Sequence, residues 1–343
     1  MSDLTIIIPV KGEKKSNLER IKRTYSGKIK FVFVGRCRVK PYIYDSGTKK
    51  ESLKRGLSTV RTPLVGFLDS DSIVSIEDVK RAISYFSDQV GGVSGRVFHF
   101  KSSKPSFFYS SFYYRLSEAI NYGSSLMNKA PILNGNFAIY RTELAKEAFE
   151  HMPKGRLGDD RQLPNYIISK GYHAILAKDV SIYTDVPANW KRFLNQIVRW
   201  NKSSIYNSFS LIRTGNVLDR GVLFSLICTL SLSMLFLTPV AVSFSLAKWL
   251  LIAIHLIFKY GVSADLLTLF MHIYAFGSSH TFLIRAIGYL STASWSAFIA
   301  FMLIRHKLYN KVHFAMISLL AQAIAPYAAL ISFANDNWER ANR

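Results

Sequence analysis

Three short constellations in this sequence carry residue types that can do chemistry. Asp69-Ser70-Asp71 directly follows the apolar run Leu64–Leu68. Two carboxylates at i and i+2 beyond a strand can reach one cation. Mg²⁺ or Mn²⁺ takes oxygen ligands and shares them with substrate phosphates. The same residues also suit a turn in which Asp71 or Ser72 caps a following helix. Gly158-Asp159-Asp160-Arg161-Gln162 sets two carboxylates side by side. Their repulsion raises the pKa of one and improves it as a general base. Equally, aspartates suit the first turn of a helix, whose dipole they complement. Gln196-Ile197-Val198-Arg199-Trp200 places Gln196, Arg199 and Trp200 on one helical face. The planar fork of arginine can clamp a diphosphate, and tryptophan offers a flat apolar face to a sugar ring. A tryptophan anchored at lipid headgroups is the alternative.

The elements that must position these groups alternate. Leu4–Val10 is a continuous apolar run and reads as a buried strand, as do Ile29–Val34, the short Pro41–Tyr44, Leu64–Leu68 and Val90–Phe100. Asn17–Tyr25, Lys49–Val60, Ile76–Phe86 and the amphipathic Asn189–Phe209 read as helices. Such alternation predicts an α/β domain with a mostly parallel sheet, and ligands of such sheets sit beyond the carboxyl ends of the strands. Phe107–Leu126 is dense in aromatics. It suits either a membrane-facing helix, with Arg115, Glu118 and Asn121 as its polar face, or packing against the sheet.

The composition divides the chain. Of 343 residues, 49% are hydrophobic and 19% charged, which excludes a disordered chain. Two cysteines, Cys37 and Cys228, exclude a disulfide scaffold or a common zinc cluster. From Gly221 to Phe258 the only full charge is Lys248, and Val262–Ile304 is interrupted only by Asp265 and Arg285. A span needs about 20 apolar residues, so 221–304 reads as about two to four transmembrane helices. The basic segments Lys191–Arg213 and Arg305–Lys311 flank it, and both are expected on the cytosolic side. The N-terminal apolar run is too short and too early for a signal peptide. The organisation expected is a cytosolic domain over 1–188, an interfacial helix over 189–220, spans over 221–304, and a basic loop with interfacial helices over 305–343. That is a multi-pass protein of the cell membrane with its N-terminal domain in the cytosol. The net charge of +22 suits anionic lipid headgroups and a phosphorylated substrate. No nucleic-acid fold signature is present, so nucleic acid is not an expected partner.

Taken in order, these motifs resemble the processive family-2 glycosyltransferases, most closely hyaluronan synthases, with cellulose and chitin synthases as relatives. IIIPVKGE at 6–13 resembles the strand and loop that hold the nucleotide, and TKKESL at 48–53 the lysine-bearing segment. GFLDSD at 66–71 resembles the metal motif and VGGVSGRV at 90–97 a family strand. LNGNFAIYR at 133–141 resembles the acceptor-pocket segment and GDDRQLPNYIISKGY at 158–172 the catalytic-base segment. FLNQIVRW at 193–200 matches the QxxRW signature, and Pro326 through Arg343 resembles an interfacial helix with a gating loop.

The resemblance implies a GT-A-like α/β nucleotide-sugar transferase domain followed by an α-helical transmembrane domain. It implies Mn²⁺ or Mg²⁺ on Asp71 and Asp69, and the nucleotide diphosphate held by Lys49, Asp69, Glu13, Arg199, Trp338 and Arg343. Asp160 becomes the general base with Asp159 beside it, and Gln196, Arg199, Trp200, Gly135 and Asn136 hold the substrate. The partners implied are a nucleotide sugar, a UDP-sugar first among them, an oligosaccharide or polysaccharide acceptor, and the bilayer. The activity implied is inverting hexosyl transfer to a growing polysaccharide that is moved across the membrane. Two other readings stand beside it: single-sugar transfer to a lipid-linked acceptor, and an inactive nucleotide-sugar-binding subunit. The chain departs from the family pattern at several points. Phe33-Val34-Gly35-Arg36 stands where an Asp follows the second strand, with Asp45 as a substitute within reach. Lys11 and Gly12 replace an aromatic and an Asn, Arg96 replaces an Asp, and Asn134 and Asn136 replace Ser and Pro around Gly135.

Overall fold

The computed structural model describes residues 2–13, 15–37, 39–151 and 159–213, with isolated helical positions among 293–318. The chain divides into two compact units, Met1–Ser225 with His313–Arg343, and Leu226–Val312. Almost all of the expected spans over 221–304 lie outside the described residues. Among the described residues no helix is long and apolar enough to cross a membrane. In the second unit Phe301 and Ile304 are helical and exposed.

The first unit is built on a mixed sheet. Its strands are β1 (Leu4–Val10), β2 (Lys30–Gly35), β3 (Tyr42–Tyr44), β4 (Leu64–Leu68), β5 (Ser72–Val74), β6 (Val90–His99), β7 (Phe137–Arg141) and β8 (His173–Thr184). Their order is β3-β2-β1-β4-β7-β6-β8-β5. The half formed by β3, β2, β1 and β4 is parallel throughout, and β1 is buried at every position except Thr5. A strand covered on both faces must be apolar on both, which is why LTIIIPV shows no alternation. The other half departs from a parallel plan. β7 runs antiparallel to both β4 and β6, and β5 antiparallel to β8.

The helices are α1 (Lys15–Tyr25), α2 (Lys49–Thr59), α3 (Ile76–Ser84), α4 (Pro105–Ser125), α5 (Thr142–His151), α6 (Asp159–Ser169) and α7 (Trp190–Arg213). Leu18, Ile21 and Tyr25 bury one stripe of α1. The Tyr25 hydroxyl donates to the Val74 carbonyl at 2.9 Å and accepts from the Val74 amide at 3.2 Å, which ties α1 to β5. α2 begins with a capping box. The Glu51 amide donates to Thr48 Oγ1 at 3.3 Å, and the Thr48 amide donates to Glu51 Oε2 at 2.6 Å. That box fixes Lys49 as the first helical residue. The cap of α3 is Ser75, which accepts from the Asp78 amide at 3.0 Å, so Asp71 and Ser72 do not serve as that helix's cap. α4 packs on β6 and β8 and also against α7. Of its aromatics, Tyr114 meets His99 of β6, while Tyr109 and Tyr113 pack on Phe193 of α7. Tyr109, Phe193 and Ile197 form a small core between α4 and α7, joined by Phe314 and Ile317.

Gly35 closes β2 with φ +144°, and a Cβ there would lie 1.9 Å from the Val10 carbonyl oxygen. Only glycine permits β1 and β2 to end this close together.

His99, at the end of β6, is buried and shares a 2.7 Å hydrogen bond with Ser110 of α4. Burial, and secondarily the Arg115 charge, pushes its imidazole down to about 4 from 6.5. Between those values the folded chain binds fewer protons than the unfolded one, so stability falls as pH drops through that window. The thermal midpoint of the purified protein is expected to fall between pH 7 and pH 4.5. His99→Gln, which keeps a side chain able to bond Ser110 and does not titrate, should fall less. Parallel pH curves for both proteins would contradict this.

Candidate active site

A cavity of about 340 Å³ opens at the carboxyl ends of β1 and β4. The loop after β1 contributes Lys11 and Glu13 to its lining, α2 contributes Lys49, and the turn after β4 contributes Asp69, Ser70 and Asp71. Gly135 and Asn136, just before β7, and Asp160 and Arg161, in the first turn of α6, line it too. α7 presents Gln196, Arg199 and Trp200, and α4 presents Tyr113, Tyr114, Ser117, Glu118 and Asn121. The three constellations picked out in the sequence therefore share one cleft. Asp159 opens α6, but its side chain lies outside the described residues, as do Trp338 and Arg343.

The acidic centre is held by backbone geometry. β7 lies antiparallel to β4 with Leu68 opposite Phe137, and the Asp69 amide donates to the Asn136 carbonyl at 3.0 Å. This pairing sets Gly135 and Asn136 beside the Asp69-Ser70-Asp71 turn. A Cβ at Gly135 would lie 3.3 Å from Asp160 Cβ and 4.0 Å from Lys49 Nζ. The Leu133 amide donates to the Asp160 carbonyl at 3.0 Å, anchoring the first turn of α6 to the same segment. Lys49 Nζ pairs with Asp69 Oδ1 at 2.8 Å, with both side chains about one-fifth exposed. Asn136 Nδ2 donates at 3.2 Å to both Ser72 Oγ and Thr184 Oγ1, and Ser72 Oγ lies 3.3 Å from Asp71 Oδ1. Asn136 thus braces the wall behind Asp71 as well as lining the cleft.

One wall of the cleft is aromatic. Trp200 stacks on Tyr113 at 5.4 Å and meets Tyr114 edge-on at 5.6 Å. Burial pushes the Tyr113 phenol up to about 12, with Arg161 opposing and Asp160 adding to the rise. Burial raises Tyr114 as well, and the charges of Asp71 and Asp69 add to it while Arg199 opposes. Both phenols therefore stay protonated and can donate. Burial lowers the Arg161 pKa, and Asp160 offsets part of that. Gln196 Oε1 is buried and has no hydrogen-bond partner among the described residues. An orphaned acceptor on a cleft wall is suited to a ligand donor.

Some residues fall elsewhere than the sequence suggests. The Asp45 carboxylate accepts from the Gly47 amide at 3.2 Å and from Ser52 Oγ at 2.6 Å. It braces the turn into α2 and is not among the residues lining the cleft. Glu13 accepts a hydrogen bond from the Lys11 amide, which folds the first loop onto itself. The polar residues of α4 went unrecognised as cleft residues. Their helical spacing was visible, but it fits a lipid-facing surface equally well.

A parallel nucleotide-type half-sheet joined to an antiparallel insertion, with carboxylates at the strand ends, is a GT-A-like α/β nucleotide-sugar transferase fold. The profile of glycosyltransferase like family 2 matches residues 15–203, more than half of the 343, and the chain belongs to that family. A second profile, glycosyl transferase family 21, matches residues 149–293. Human hyaluronan synthase 3 is 30% identical over 133 residues, which are 35% of this chain and 24% of that protein. Hyaluronan synthase 1 of Xenopus laevis is 27% identical over 172 residues, 46% of this chain and 29% of that protein. The matched stretch thus spans about a quarter of the length of these relatives. A mannosyltransferase from Pyrobaculum calidifontis, solved with GDP-Man and Mn²⁺, shares the fold. It has a TM-score of 0.55 at 17% identity, covering 95% of this chain and 87% of that one.

The Gly135 contact gives a direct test. Gly135→Ala should displace Asp160 by a few tenths of an ångström and lower sugar transfer about tenfold, since small misplacements of a reacting group are costly. The thermal midpoint should stay within a few degrees of wild type. Full activity in a folded Gly135→Ala protein would show that this contact does not set the Asp160 position.

Proposed function

We propose that the chain is an inverting, nucleotide-sugar-dependent hexosyltransferase that extends a polysaccharide processively at a membrane and passes the product across it. The observation that carries this is the convergence of Asp69, Asp71, Asp160 and Trp200 on one cleft at the strand ends. The donor is a nucleotide sugar, with a UDP-sugar as the first candidate. The family membership supports this class, and the likeness to hyaluronan synthases supports a polysaccharide product.

Asp71 and Asp69 suit a divalent cation. Both are hard oxygen donors, they stand at one strand end, and a Mg²⁺ or Mn²⁺ site commonly needs only one or two carboxylates beside substrate phosphates. When bound, such a cation offsets the charge that builds on the leaving diphosphate. Lys49 and Arg199 add fixed positive charge in the same cleft. Asp160 accepts the proton of the acceptor hydroxyl, and that oxygen attacks the anomeric carbon on the face opposite the leaving group, so configuration inverts. Trp200, set by Tyr113 and Tyr114, gives the acceptor ring a flat platform. Asp159, Trp338 and Arg343 complete the proposal as neighbour of the base and as parts of a closing loop.

Membrane embedding rests on the long, sparsely charged apolar stretches of 221–304 and on the exposure of Phe301 and Ile304 in the second unit. A polysaccharide is too polar to cross lipid unaided, so these segments are proposed to provide its passage.

Asp160→Asn tests the base. Transfer should fall at least about a hundredfold, because general-base catalysis typically contributes that much. Cation-dependent binding of the nucleotide should persist. Product length on the wild-type protein separates chain extension from single transfer. Turnover of the Asp160→Asn protein at the wild-type rate would remove Asp160 from this role.

A further inference from the structure

The polar stripe of α4 faces the cleft. Ser117, Glu118 and Asn121 line it together, about 4.5 to 10 Å beyond Tyr114 by the helical rise. Asn121 is only 3% exposed. Neither its carboxamide nor the Ser117 hydroxyl makes a side-chain hydrogen bond among the described residues. A carboxamide on a cleft wall without a partner in the protein is suited to a ligand's donors and acceptors.

Glu118 is prepared differently. Arg96 Nε donates to one of its oxygens and Arg115 Nη1 to the other. Arg115 Nη2 also donates to the Val97 carbonyl at 3.1 Å. The two guanidinium groups lie 5.3 and 4.0 Å from the centre of the Phe98 ring. Glu118 lines the cleft and the two arginines do not. The cations therefore sit behind the carboxylate and fix it. A carboxylate offers about four acceptor positions, so roughly two remain for donors in the cleft. A fixed carboxylate is a poor neighbour for a diphosphate and a good one for sugar hydroxyls. The stripe continues from Tyr113 and Tyr114, the residues that set Trp200, so it lies along the acceptor's path.

We propose that Ser117, Glu118 and Asn121 form a subsite that reads hydroxyl groups of the acceptor saccharide, accepting a neutral sugar and disfavouring a hexuronate. The subsite rests on the transferase reading. It refines that reading by substrate class: every group the stripe itself presents to the cleft is neutral or anionic, and the lining cations Lys49, Arg161 and Arg199 are carried by α2, α6 and α7, so a sugar carboxylate seated on the stripe would meet Glu118.

The full chain in lipid nanodiscs is assayed with UDP-glucose, UDP-N-acetylglucosamine and GDP-mannose, reading nucleotide release. The acceptors are trisaccharides of glucose, N-acetylglucosamine or mannose, and trisaccharides of equal length ending in glucuronate. Neutral trisaccharides are expected to stimulate release more than glucuronate-ended ones. Asn121→Ala and Ser117→Ala should each raise the acceptor KM about tenfold, the value of one good hydrogen bond, with a smaller change in donor KM. Glu118→Gln should improve relative use of glucuronate-ended acceptors about tenfold. Since that change also loosens Arg96 and Arg115, Asn121→Asp provides a second variant, adding charge without touching either arginine, and should worsen glucuronate use. Wild-type preference for glucuronate-ended acceptors, or unchanged acceptor KM in the alanine variants, would overturn the subsite while leaving the transferase intact. Absence of release from every donor would overturn both.

Discussion

One backbone pairing governs the geometry of the site. β7 enters the sheet antiparallel between β4 and β6, and its leading residues meet the end of β4 through the Asp69–Asn136 hydrogen bond. A fully parallel sheet would leave the carboxyl end of β4 facing only loops. With β7 in place, the segment 133–136 is pinned beside Asp69 and Asp71, and α6 is tied to it through Leu133 and Asp160. Asp160 and the Asp69–Asp71 pair thus share one backbone frame. Gly135 lets them approach, because any larger residue would fill the space between Asp160 and Lys49.

Charge is arranged against this frame. Clustered carboxylates repel, and the chain answers with Lys49, Arg161 and Arg199 in the same cleft. Lys49 is fixed by the Thr48–Glu51 capping box, so its ion pair with Asp69 starts from an ordered backbone. The Tyr113–Tyr114–Trp200 group gives the cleft an apolar wall, where burial raises both phenols and keeps them protonated.

Most of the parallel half was legible in the sequence. Leu4–Val10 and Leu64–Leu68 are unbroken apolar runs with clear ends, and the structure places β1 and β4 over the same residues. Of the other half only β6 was legible, as Val90–Phe100. β5 has three residues, too few to declare a period, and the antiparallel insertion of β7 between β4 and β6 is a long-range pairing that local spacing does not encode. The three motifs were legible because carboxylates at a strand end and an Arg-Trp pair on a helix are conspicuous. Their convergence came from topology that spacing alone does not encode. Asp45 looked available because its hydrogen bonds to Gly47 and Ser52 are local and leave no mark in composition. The α4 stripe was legible as a polar face, but its direction was not. Arg115, Glu118 and Asn121 have the spacing of a surface face, and only the pairing of Glu118 with Arg96 of β6 turns that face inward.

The central claim is that a cation held at Asp71 and the indole of Trp200 occupy the same cleft. The most direct measurement labels the tryptophans with 5-fluorotryptophan, assigns the Trp200 ¹⁹F signal by Trp200→Phe, and adds Mn²⁺ with UDP or GDP. Broadening of the Trp200 signal that requires both cation and nucleotide, and that disappears in Asp71→Asn, is the predicted result. A Trp200 signal untouched by Mn²⁺ and either nucleotide, or broadened equally in Asp71→Asn, would contradict it.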